Sequence, residues 1–202
     1  MFKSSFLSLL VFILFSSYLQ SQDNSDWREE QNIYEKIYNA HLQLADGSNT
    51  TIRQLSSKSP LIVTLIFTRC TGVCYPLLLR LNEELKNADS EKFDVLVISF
   101  DPRDSIKDMI NLSNRFGLEN NKDWNFAVTD SIALLNKSVS FNPVWNDSAQ
   151  QFNHDAYLIG VNNQSYITKK LIGMRDTKSL NALIRSINSE YSVTYRLPSK
   201  NN

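Results

Sequence analysis

The chemistry of this chain centres on its only two cysteines, Cys70 and Cys74, which are four positions apart in Thr68-Arg-Cys-Thr-Gly-Val-Cys74. They lie where a predicted buried strand gives way to a predicted helix. In the first turn of a helix, the dipole and the free backbone amides favour thiolate over thiol. The pattern therefore predicts metal binding or redox chemistry. A structural disulfide is the alternative, but it would close a very short loop, and stabilisation by loop closure grows with loop length.

The chain has two histidines, and one of them is placed to join the cysteines. His154 lies in Gln151-Phe-Asn-His-Asp155, immediately before a strand predicted over 156–161, whereas His41 has no partner motif. Two thiolates and one imidazole form a donor set that suits Cu(I), which tolerates trigonal geometry, and also Zn(II), which prefers a fourth ligand. The alternative is that His154 is a surface loop residue.

Charge bears on the site and on the partners. Two thiolates, one neutral imidazole and Cu(I) sum to a net charge of about minus one. Arg69, beside Cys70, either offsets that charge and depresses the thiol pKa values or is an ordinary solvated side chain. Over the whole chain 21 acidic residues balance 21 basic ones, with no basic stripe, so we expect no nucleic-acid partner.

The N-terminal segment predicts export. Residues 1–21 carry one charge at Lys3, an apolar stretch from Phe6 to Leu19 and a small residue at Ser21, as in a secretory signal peptide. An uncleaved membrane anchor is the alternative, although the apolar stretch is short for a span of about 20 residues. We expect the protein in the periplasm or on the extracytoplasmic face of a membrane, which it would contact only through this segment.

The rest of the chain has the length and composition of one domain. Residues 22–38 are expected to form a polar lead-in that is compatible with a helix. Residues 39–190 are expected to form the domain, and residues 191–202 a loose tail.

Hydrophobic patterning and turn residues order the elements of this domain. In the first half they predict a hairpin over 41–55 with its turn at Asp46-Gly47, a buried strand over 61–68, a helix over 75–88 and a second buried strand over 93–100. A helix from Ile106 to Gly117, a strand over 124–128, a short helix capped by Asp130 and a loop at Asn142-Pro143 follow. The domain ends with strands over 156–161 and 166–172 and a closing helix capped by Thr177, which has Leu180, Leu183, Ile184 and Ile187 on its apolar face.

This order of elements is that of thioredoxin, with parallel strands first and an antiparallel pair last. We therefore expect an α/β protein with a thioredoxin-like fold: a central mixed β-sheet flanked by helices, with an N-terminal β-hairpin. The cysteine turn and the loop at Asp101 would then lie at the same carboxyl edge of the sheet.

Three motifs together resemble the Sco/SenC family: Phe67-Thr-Arg-Cys-Thr-Gly-Val-Cys74, Ser99-Phe-Asp-Pro-Arg-Asp104 and Asn153-His-Asp-Ala-Tyr-Leu-Ile159. Members of this family are membrane-tethered or exported thioredoxin-like factors for cytochrome c oxidase assembly. The resemblance covers the chain from about His41 to Ile187, which is essentially the whole predicted domain.

The resemblance implies a Cu(I)/Cu(II) site carried by Cys70, Cys74 and His154. Asp101 matches the aspartate of the family's Asp-Pro motif near that site, where it would orient a ligand or tune the charge. The alternative for Asp101 is that it caps the next helix together with Pro102.

The chain departs from the family pattern at two positions. Thr71 follows the first cysteine where the family often has proline, and Asn153 precedes the histidine where aspartate is frequent. Neither change removes a ligand, but either could shift the redox potential or the choice of partner.

Four functions compete on these residues. The favoured one is a copper metallochaperone that passes copper to the copper-site subunit of cytochrome c oxidase or a related respiratory enzyme; nothing is turned over, so it is not strictly an enzyme. The second is a thiol–disulfide oxidoreductase that cycles through a Cys70–Cys74 disulfide, with thioredoxin-like reductants as partners. A remote third is a thioredoxin-superfamily peroxidase with Thr71-Gly-Val-Cys74 as its nucleophile turn. A non-catalytic binding domain is the last.

Overall fold

The computed structural model describes residues 28–31, 35–87, 93–173 and 177–191. Its strands are β1 (Arg28–Gln31), β2 (His41–Leu44), β3 (Asn49–Thr51), β4 (Leu61–Ile66), β5 (Asp94–Ser99), β6 (Trp124–Val128), β7 (Val144–Asn146), β8 (Gln151–Asn153), β9 (Tyr157–Val161) and β10 (Ile167–Ile172). Its helices are α1 (Ile52–Ser56), α2 (Cys74–Asn87), α3 (Ile106–Arg115), α4 (Ile132–Ser138) and α5 (Thr177–Tyr191).

Eight strands form one mixed sheet in the order β1-β10-β9-β4-β5-β6-β2-β3. The pairs β4–β5 and β5–β6 are parallel, and β9 and β10 form the antiparallel pair that the sequence predicts. All six residues of β4 are buried, as its continuous run of apolar and β-branched residues predicts for a strand covered on both faces. The predicted thioredoxin-like fold is therefore confirmed.

The parallel pairing of β4 with β5 runs in register from Leu61 opposite Asp94 to Ile66 opposite Ser99. The two strands therefore end side by side. As predicted, the cysteine turn after β4 and the loop that begins at Asp101 after β5 lie at the same carboxyl edge, which is where sites form in α/β sheets.

The prediction of a helix-compatible lead-in over 22–38 is wrong for residues 28–31. These residues form β1, which pairs antiparallel with β10 at the edge of the sheet. The polar sequence Arg-Glu-Glu-Gln has no strand pattern of its own, and the strand exists because β10 offers an edge to pair with. Residues 22–27 and 32–34 of the predicted lead-in lie outside the described residues.

The predicted N-terminal hairpin is present but shorter than expected. It pairs β2 with β3 through the turn at Asp46-Gly47, and Gly47 has a φ of 88°. The second arm ends at Thr51, whose side-chain oxygen accepts a hydrogen bond from the backbone N–H of Gln54 and so caps α1. Residues 52–55, predicted as strand, are helical for this reason.

Two of the predicted helix caps can be compared with the structure. The short helix α4 begins after Ser131, which makes no side-chain cap, and Asp130 only accepts a hydrogen bond from the Ser131 hydroxyl; the prediction that Asp130 caps it is wrong. The closing helix α5 has Thr177 as its first residue, whereas the prediction made Thr177 the cap before the helix; the side chain of Thr177 lies outside the described residues, so its capping role stays a prediction.

One element was missed altogether. The residues after the predicted loop at Asn142-Pro143 form a small antiparallel hairpin, β7–β8, that is separate from the main sheet. Its strands are only three residues long, so their alternation is too brief to be recognised in the sequence. This hairpin leads directly into His154.

The two ends of the chain bear on the predictions about export and the tail. Residues 1–21, predicted as a signal peptide or anchor, and residues 192–202 of the predicted tail lie outside the described residues. Among the residues that are described, no helix has both the length and the apolar character needed to cross a membrane.

Candidate metal and dithiol site

The cysteine turn is built onto the end of β4. Cys70 lies in the turn that follows β4, as predicted. Cys74 is the first residue of α2, one residue before the predicted start of that helix. The backbone N–H of Cys74 faces the Sγ of Cys70 at 3.4 Å. Cys70 therefore still receives one of the free amides at the start of the helix, which is the feature expected to favour its thiolate.

His154 completes the group from the other side of the cleft. Its Nε2 atom lies 3.9 Å from the Sγ of Cys70 and 3.6 Å from the Sγ of Cys74. Its Nδ1 atom lies 2.9 Å from the carbonyl oxygen of Asp155. Because a carbonyl only accepts, Nδ1 carries a proton. The neutral ring then presents the lone pair of Nε2 for a metal ion, whereas a ring protonated at both nitrogens can donate from Nε2 to a sulfur.

Aromatic rings hold the imidazole in place. The rings of Phe67, Phe100 and Phe141 contact the His154 ring edge-on, at centroid distances of 5.6, 5.0 and 6.0 Å. All three phenylalanines belong to the buried core. The ring orientation that presents Nε2 to the sulfurs is therefore fixed by packing as well as by the hydrogen bond at Nδ1.

The pKa values of the two thiols are shifted in opposite directions. A hydrogen bond from the Cys74 thiol lowers the pKa of Cys70 to about 4, assisted by His154 and by backbone N–H groups and opposed by partial burial. The same interaction with the Cys70 thiolate, together with burial of a side chain that is only 5% exposed, raises the pKa of Cys74 above its ordinary value. These opposite shifts favour a thiolate on Cys70 and a thiol on Cys74.

The spacing of these atoms suits a single metal ion. The Cys70, Cys74 and His154 donor atoms all lie within 4.8 Å of one another. Bond lengths of about 2.3 Å to sulfur and 2.0 Å to nitrogen, as for zinc, would place a sulfur and a nitrogen on one trigonal or tetrahedral ion about 3.5–3.7 Å apart. The distances of 3.6 and 3.9 Å between sulfur and Nε2 are close to this value.

Arg69 is held by two buried carboxylates. Its guanidinium donates to Asp101 Oδ2 at 2.6 Å and pairs with Asp104 Oδ1 at 2.9 Å. Asp104 also accepts from the backbone N–H and the hydroxyl of Thr68, at 2.8 and 2.7 Å, and from the hydroxyl of Ser99 at 2.6 Å. These bonds tie the cysteine turn to the end of β5.

Arg69 and Asp101 differ in detail from what the sequence predicts. The side chain of Arg69 is 48% exposed, as the solvated alternative expects, but it is not an ordinary solvated side chain, because its guanidinium pairs with two carboxylates that have no exposed surface. The causes that lower the pKa of Cys70 are Cys74, His154 and backbone N–H groups, and Arg69 is not one of them. The alternative of Asp101 as a helix cap is also wrong, because Ser105 caps α3 in a capping box with Asp108.

Sequence reasoning missed Arg103, although it is part of the quoted Asp-Pro motif. Its backbone N–H and its guanidinium both bind the carboxylate of Asp101. The guanidinium also lies 4.5 Å from the ring centroid of Trp145 and 5.7 Å from that of Phe152, on the β7–β8 hairpin. No signal in the sequence shows that the two segments meet, because the contact depends on the position of the missed hairpin.

The site opens to solvent through a cleft of about 490 Å³ between the cysteine turn and the hairpin. Cys70 and His154 line this cleft, whereas Cys74 is behind them. Thr71 spans it at one side by donating a hydrogen bond of 2.9 Å to the side-chain oxygen of Gln151. A ligand or partner would thus reach Cys70 and His154 before Cys74.

A larger groove of about 800 Å³ lies elsewhere, between the β2–β3 hairpin and the loops after β5 and β6. Asp101 and Asp104 border it, and His41 and Asp130 contribute to its lining together with amide and hydroxyl side chains, but neither cysteine does. Metal binding or thiol chemistry at the cysteines is therefore expected in the smaller cleft and not in this groove.

Comparison with known proteins gives the fold and no closer relation. No protein-family model matches the sequence, and no curated protein matches it. Solved structures do match. BsSco, described as a member of the Sco family of cytochrome c oxidase assembly proteins, has a TM-score of 0.65 and 19% identity, covering 79% of this chain and 97% of that one. The chain has the thioredoxin-like fold of the Sco proteins.

Two further structures show how wide this likeness is. ScoI of Bradyrhizobium japonicum, solved with copper bound, has a TM-score of 0.59 and 22% identity, covering 75% of this chain and 99% of that one. Peroxiredoxin Q of Xanthomonas campestris also has a TM-score of 0.59, with 16% identity, and the match covers 80% of this chain and 99% of that one. The fold is thus shared by copper-bound proteins and peroxiredoxins, and the site residues must discriminate between them.

Proposed function

We propose that this protein is a copper metallochaperone of the Sco type. It would hold one copper ion through Cys70, Cys74 and His154 and deliver it to the copper site of a respiratory oxidase. The observation that carries the proposal is the convergence of two sulfurs and one imidazole nitrogen within 4.8 Å at the end of β4. The resemblance of the three sequence motifs and the shared fold support it.

The donor set favours copper over zinc. Two sulfurs and one imidazole are soft ligands that suit Cu(I) in trigonal coordination, whereas a structural zinc ion takes four ligands. The group formed by the described residues contains these three ligand side chains and no fourth. The site would hold Cu(I) and would also accept Cu(II), since thiolate and imidazole together bind that ion as well.

The arrangement also suits the transfer of a cargo ion. Cys70 is partly exposed on the cleft and Cys74 is buried behind it, so an incoming ligand from a client would displace the outer sulfur first. The proposed client is the copper-site subunit of cytochrome c oxidase or of a related respiratory enzyme. This client is inferred from the Sco-type assignment.

The proposed place of action is outside the cytoplasm. Residues 1–21 have the composition of a signal peptide or an N-terminal anchor, and the client site of such a chaperone would face the periplasm or the corresponding extracytoplasmic space. Contact with the membrane would be made by this segment alone.

A copper titration tests the proposal. The reduced protein from Gln22 onward should retain one Cu(I) against a competing chelator, and His154→Ala should weaken the affinity by more than about 100-fold, because even partners outside the ligand set typically contribute 10–100-fold. Weak binding by the unmodified protein, or equal binding by both proteins, would overturn the proposed site.

Thiol–disulfide exchange is the second candidate, and the unequal thiols favour it. A Cys70 thiolate would attack a disulfide of the client, release one client thiolate and form a mixed disulfide. Cys74 would then attack Cys70, so that the client is fully reduced and this pair is oxidised to a Cys70–Cys74 disulfide. A thioredoxin-like dithiol would be needed to reduce the pair again.

Alkylation of the reduced, metal-free protein tests this arrangement. With limiting iodoacetamide at pH 7, Cys70 should react first, because its pKa is lowered and its sulfur reaches the cleft, while Cys74 keeps its proton and is buried. Peptide mapping measures the order. Equal or reversed labelling would remove Cys70 as the attacking thiol.

The peroxidase alternative fits this site poorly. A peroxidase nucleophile at Cys74 would need an accessible thiolate, yet Cys74 is 5% exposed and its pKa is raised. The other polar groups of the turn are also engaged elsewhere, since the hydroxyl of Thr71 donates to Gln151 and the guanidinium of Arg69 is bound to carboxylates. These contacts count against the peroxidase alternative.

A further inference from the structure

The histidine of the site is carried by an element that the main sheet does not hold. Strands β7 and β8 pair only with each other, three residues against three. A two-stranded hairpin of this size is marginal in water, so its position depends on the side chains that fasten it to the domain. His154 directly follows β8, and any movement of the hairpin would move its ring relative to the sulfurs.

Arg103 joins this hairpin to the fixed end of β5. On one side its Nε and Nη2 atoms donate to the carboxylate of Asp101, at 2.9 and 2.8 Å, in a bidentate arrangement. On the other side the guanidinium covers the ring of Trp145 in β7, at 4.5 Å, and approaches Phe152 in β8. One side chain thus contacts both strands of the hairpin.

The anchor at Asp101 is well suited to hold such a clamp. Its side chain has no exposed surface, and it also binds Arg69, so it is fixed to the cysteine turn as well. The chain of contacts runs from Cys70 through its neighbour Arg69 to Asp101, then through Arg103 to Trp145 and Phe152. It ends two residues before His154.

Packing completes the link. Phe152 contacts Phe67 and Phe100 edge-on at 5.5 and 5.2 Å, and these same two phenylalanines contact the ring of His154. The guanidinium therefore lies against the outer face of an aromatic cluster whose inner members orient the imidazole. The Arg103 side chain itself remains 51% exposed, so its loss should leave the core intact.

We propose that Arg103 is a positioning residue for His154: it clamps the β7–β8 hairpin against Asp101 and so sets the distance between the imidazole and the two cysteine sulfurs. The inference rests on the proposed copper function, since it assigns the residue that arranges that same site.

The first test compares copper affinities. Arg103→Ala should weaken Cu(I) retention by about tenfold, at the lower end of the range for partners outside a ligand set. Arg103→Lys should restore little of it, because an ammonium group neither binds a carboxylate bidentately nor stacks as a plane on an aromatic ring. Arg185→Ala, at an exposed position of α5, is the matched control and should retain full affinity.

A double mutant separates positioning from general damage. In a His154→Ala background, Arg103→Ala should cause no further loss of Cu(I) affinity, since its effect passes through the missing imidazole. An additional tenfold loss in that background would show that Arg103 acts on the cysteines or on the fold, and would overturn the proposal.

A metal-free readout keeps the inference separate from the proposed function. In the reduced apo protein, hydrogen exchange of the β8 amides should be at least about tenfold faster in Arg103→Ala than in the unmodified chain, with β4 unchanged. Trp145→Leu, which removes the opposite side of the clamp, should have the same effect and serves if Arg103→Ala does not fold.

The outcomes are distinguishable. If the unmodified protein fails to bind copper but Arg103→Ala loosens β8, the proposed function falls and the clamp stands. If copper binds through His154 and Arg103→Ala changes neither affinity nor exchange, the clamp falls and the proposed function stands.

Discussion

The two halves of the candidate site are held by different kinds of structure. The cysteine turn directly follows β4, a fully buried strand that is hydrogen-bonded to β5 on one side and to β9 on the other. His154 follows β8, which belongs to a separate hairpin fastened by side chains. The dithiol half is therefore part of the core of the fold, and the imidazole half is attached to its surface.

This difference has a consequence for the proposed binding and release of an ion. A dithiol fixed by the sheet keeps its geometry whether or not metal is bound, and an imidazole on a lightly fastened hairpin can approach or leave with little cost to the fold. When the hairpin is in place, rings from the core orient His154. The position of the imidazole beside the sulfurs is therefore well defined, although only side-chain contacts hold the hairpin. The predictions below separate these two halves.

The largest effect is expected from the dithiol half. Cys70→Ser and Cys74→Ser should each abolish measurable Cu(I) retention and thiol exchange, because a serine hydroxyl is a poor ligand for a soft ion and cannot form a disulfide. Thermal unfolding of the reduced variants should remain cooperative, with a melting temperature near that of the parent. Gross unfolding of either variant would mean that the cysteines hold the fold together.

The imidazole half should separate the two candidate functions. His154→Ala removes one of the three proposed donors to copper, yet it leaves both sulfurs in the turn supported by β4. Reduction of a model disulfide by the dithiol should therefore continue at a rate within about threefold of the parent, whereas Cu(I) affinity falls by more than about 100-fold. Loss of both activities together would contradict the division of the site into two halves.

Hydrogen exchange measures the difference in support directly. Amides of β4 should exchange only through global unfolding, and those of β8 through local opening, so protection in β4 should exceed that in β8 by at least about 100-fold. The measurement is made on the reduced, metal-free protein. Copper should slow exchange in β8 and leave exchange in β4 unchanged. Equal protection in the two strands would contradict the claim that the two halves of the site differ in how firmly they are held.

The smallest effect is expected from Asp101, whose carboxylate binds Arg69 in the cysteine turn and Arg103 beside the hairpin. Arg103 and Arg69 lower the pKa of Asp101 to about 2, although its burial opposes this. A lowered pKa stabilises the fold above the ordinary carboxyl pKa of about 3.9, and that stability is lost as the pH falls from about 4 towards 2. Acid unfolding of Asp101→Asn should lack this part of the pH dependence. Identical acid profiles would show that Asp101 does not link stability to pH.

The sequence predicted most of what the main sheet contains. The continuous apolar run in β4 and the similar run in β5 identified two buried parallel strands, and the cysteines between β4 and α2 followed from their position in the chain. The adjacency of Asp101 to the cysteine turn also followed, because the ends of neighbouring parallel strands meet. These features depend on strong local patterns.

The errors lie where pairing or long-range contact overrides the local pattern. Polar residues form β1 only because β10 has a free edge, and residues after Thr51 turn into a helix because that side chain caps it. The β7–β8 hairpin was missed because its strands are too short to show a period. The role of Arg103 could not be predicted without that hairpin.

The sequence by itself determined the candidate donor atoms, which are two cysteine sulfurs and one histidine nitrogen, and the order of the strands that carry them. Only the tertiary structure decided which sulfur is outer, with a lowered pKa, and which is buried, with a raised pKa, since the hydrogen bond between the two thiols shifts their pKa values in opposite directions. It also decided that His154 reaches the sulfurs through Nε2, because Nδ1 is bound to a backbone carbonyl and the surrounding rings fix the imidazole. Residue types are local information, whereas distances, protonation and orientation arise from segments that are far apart in the chain.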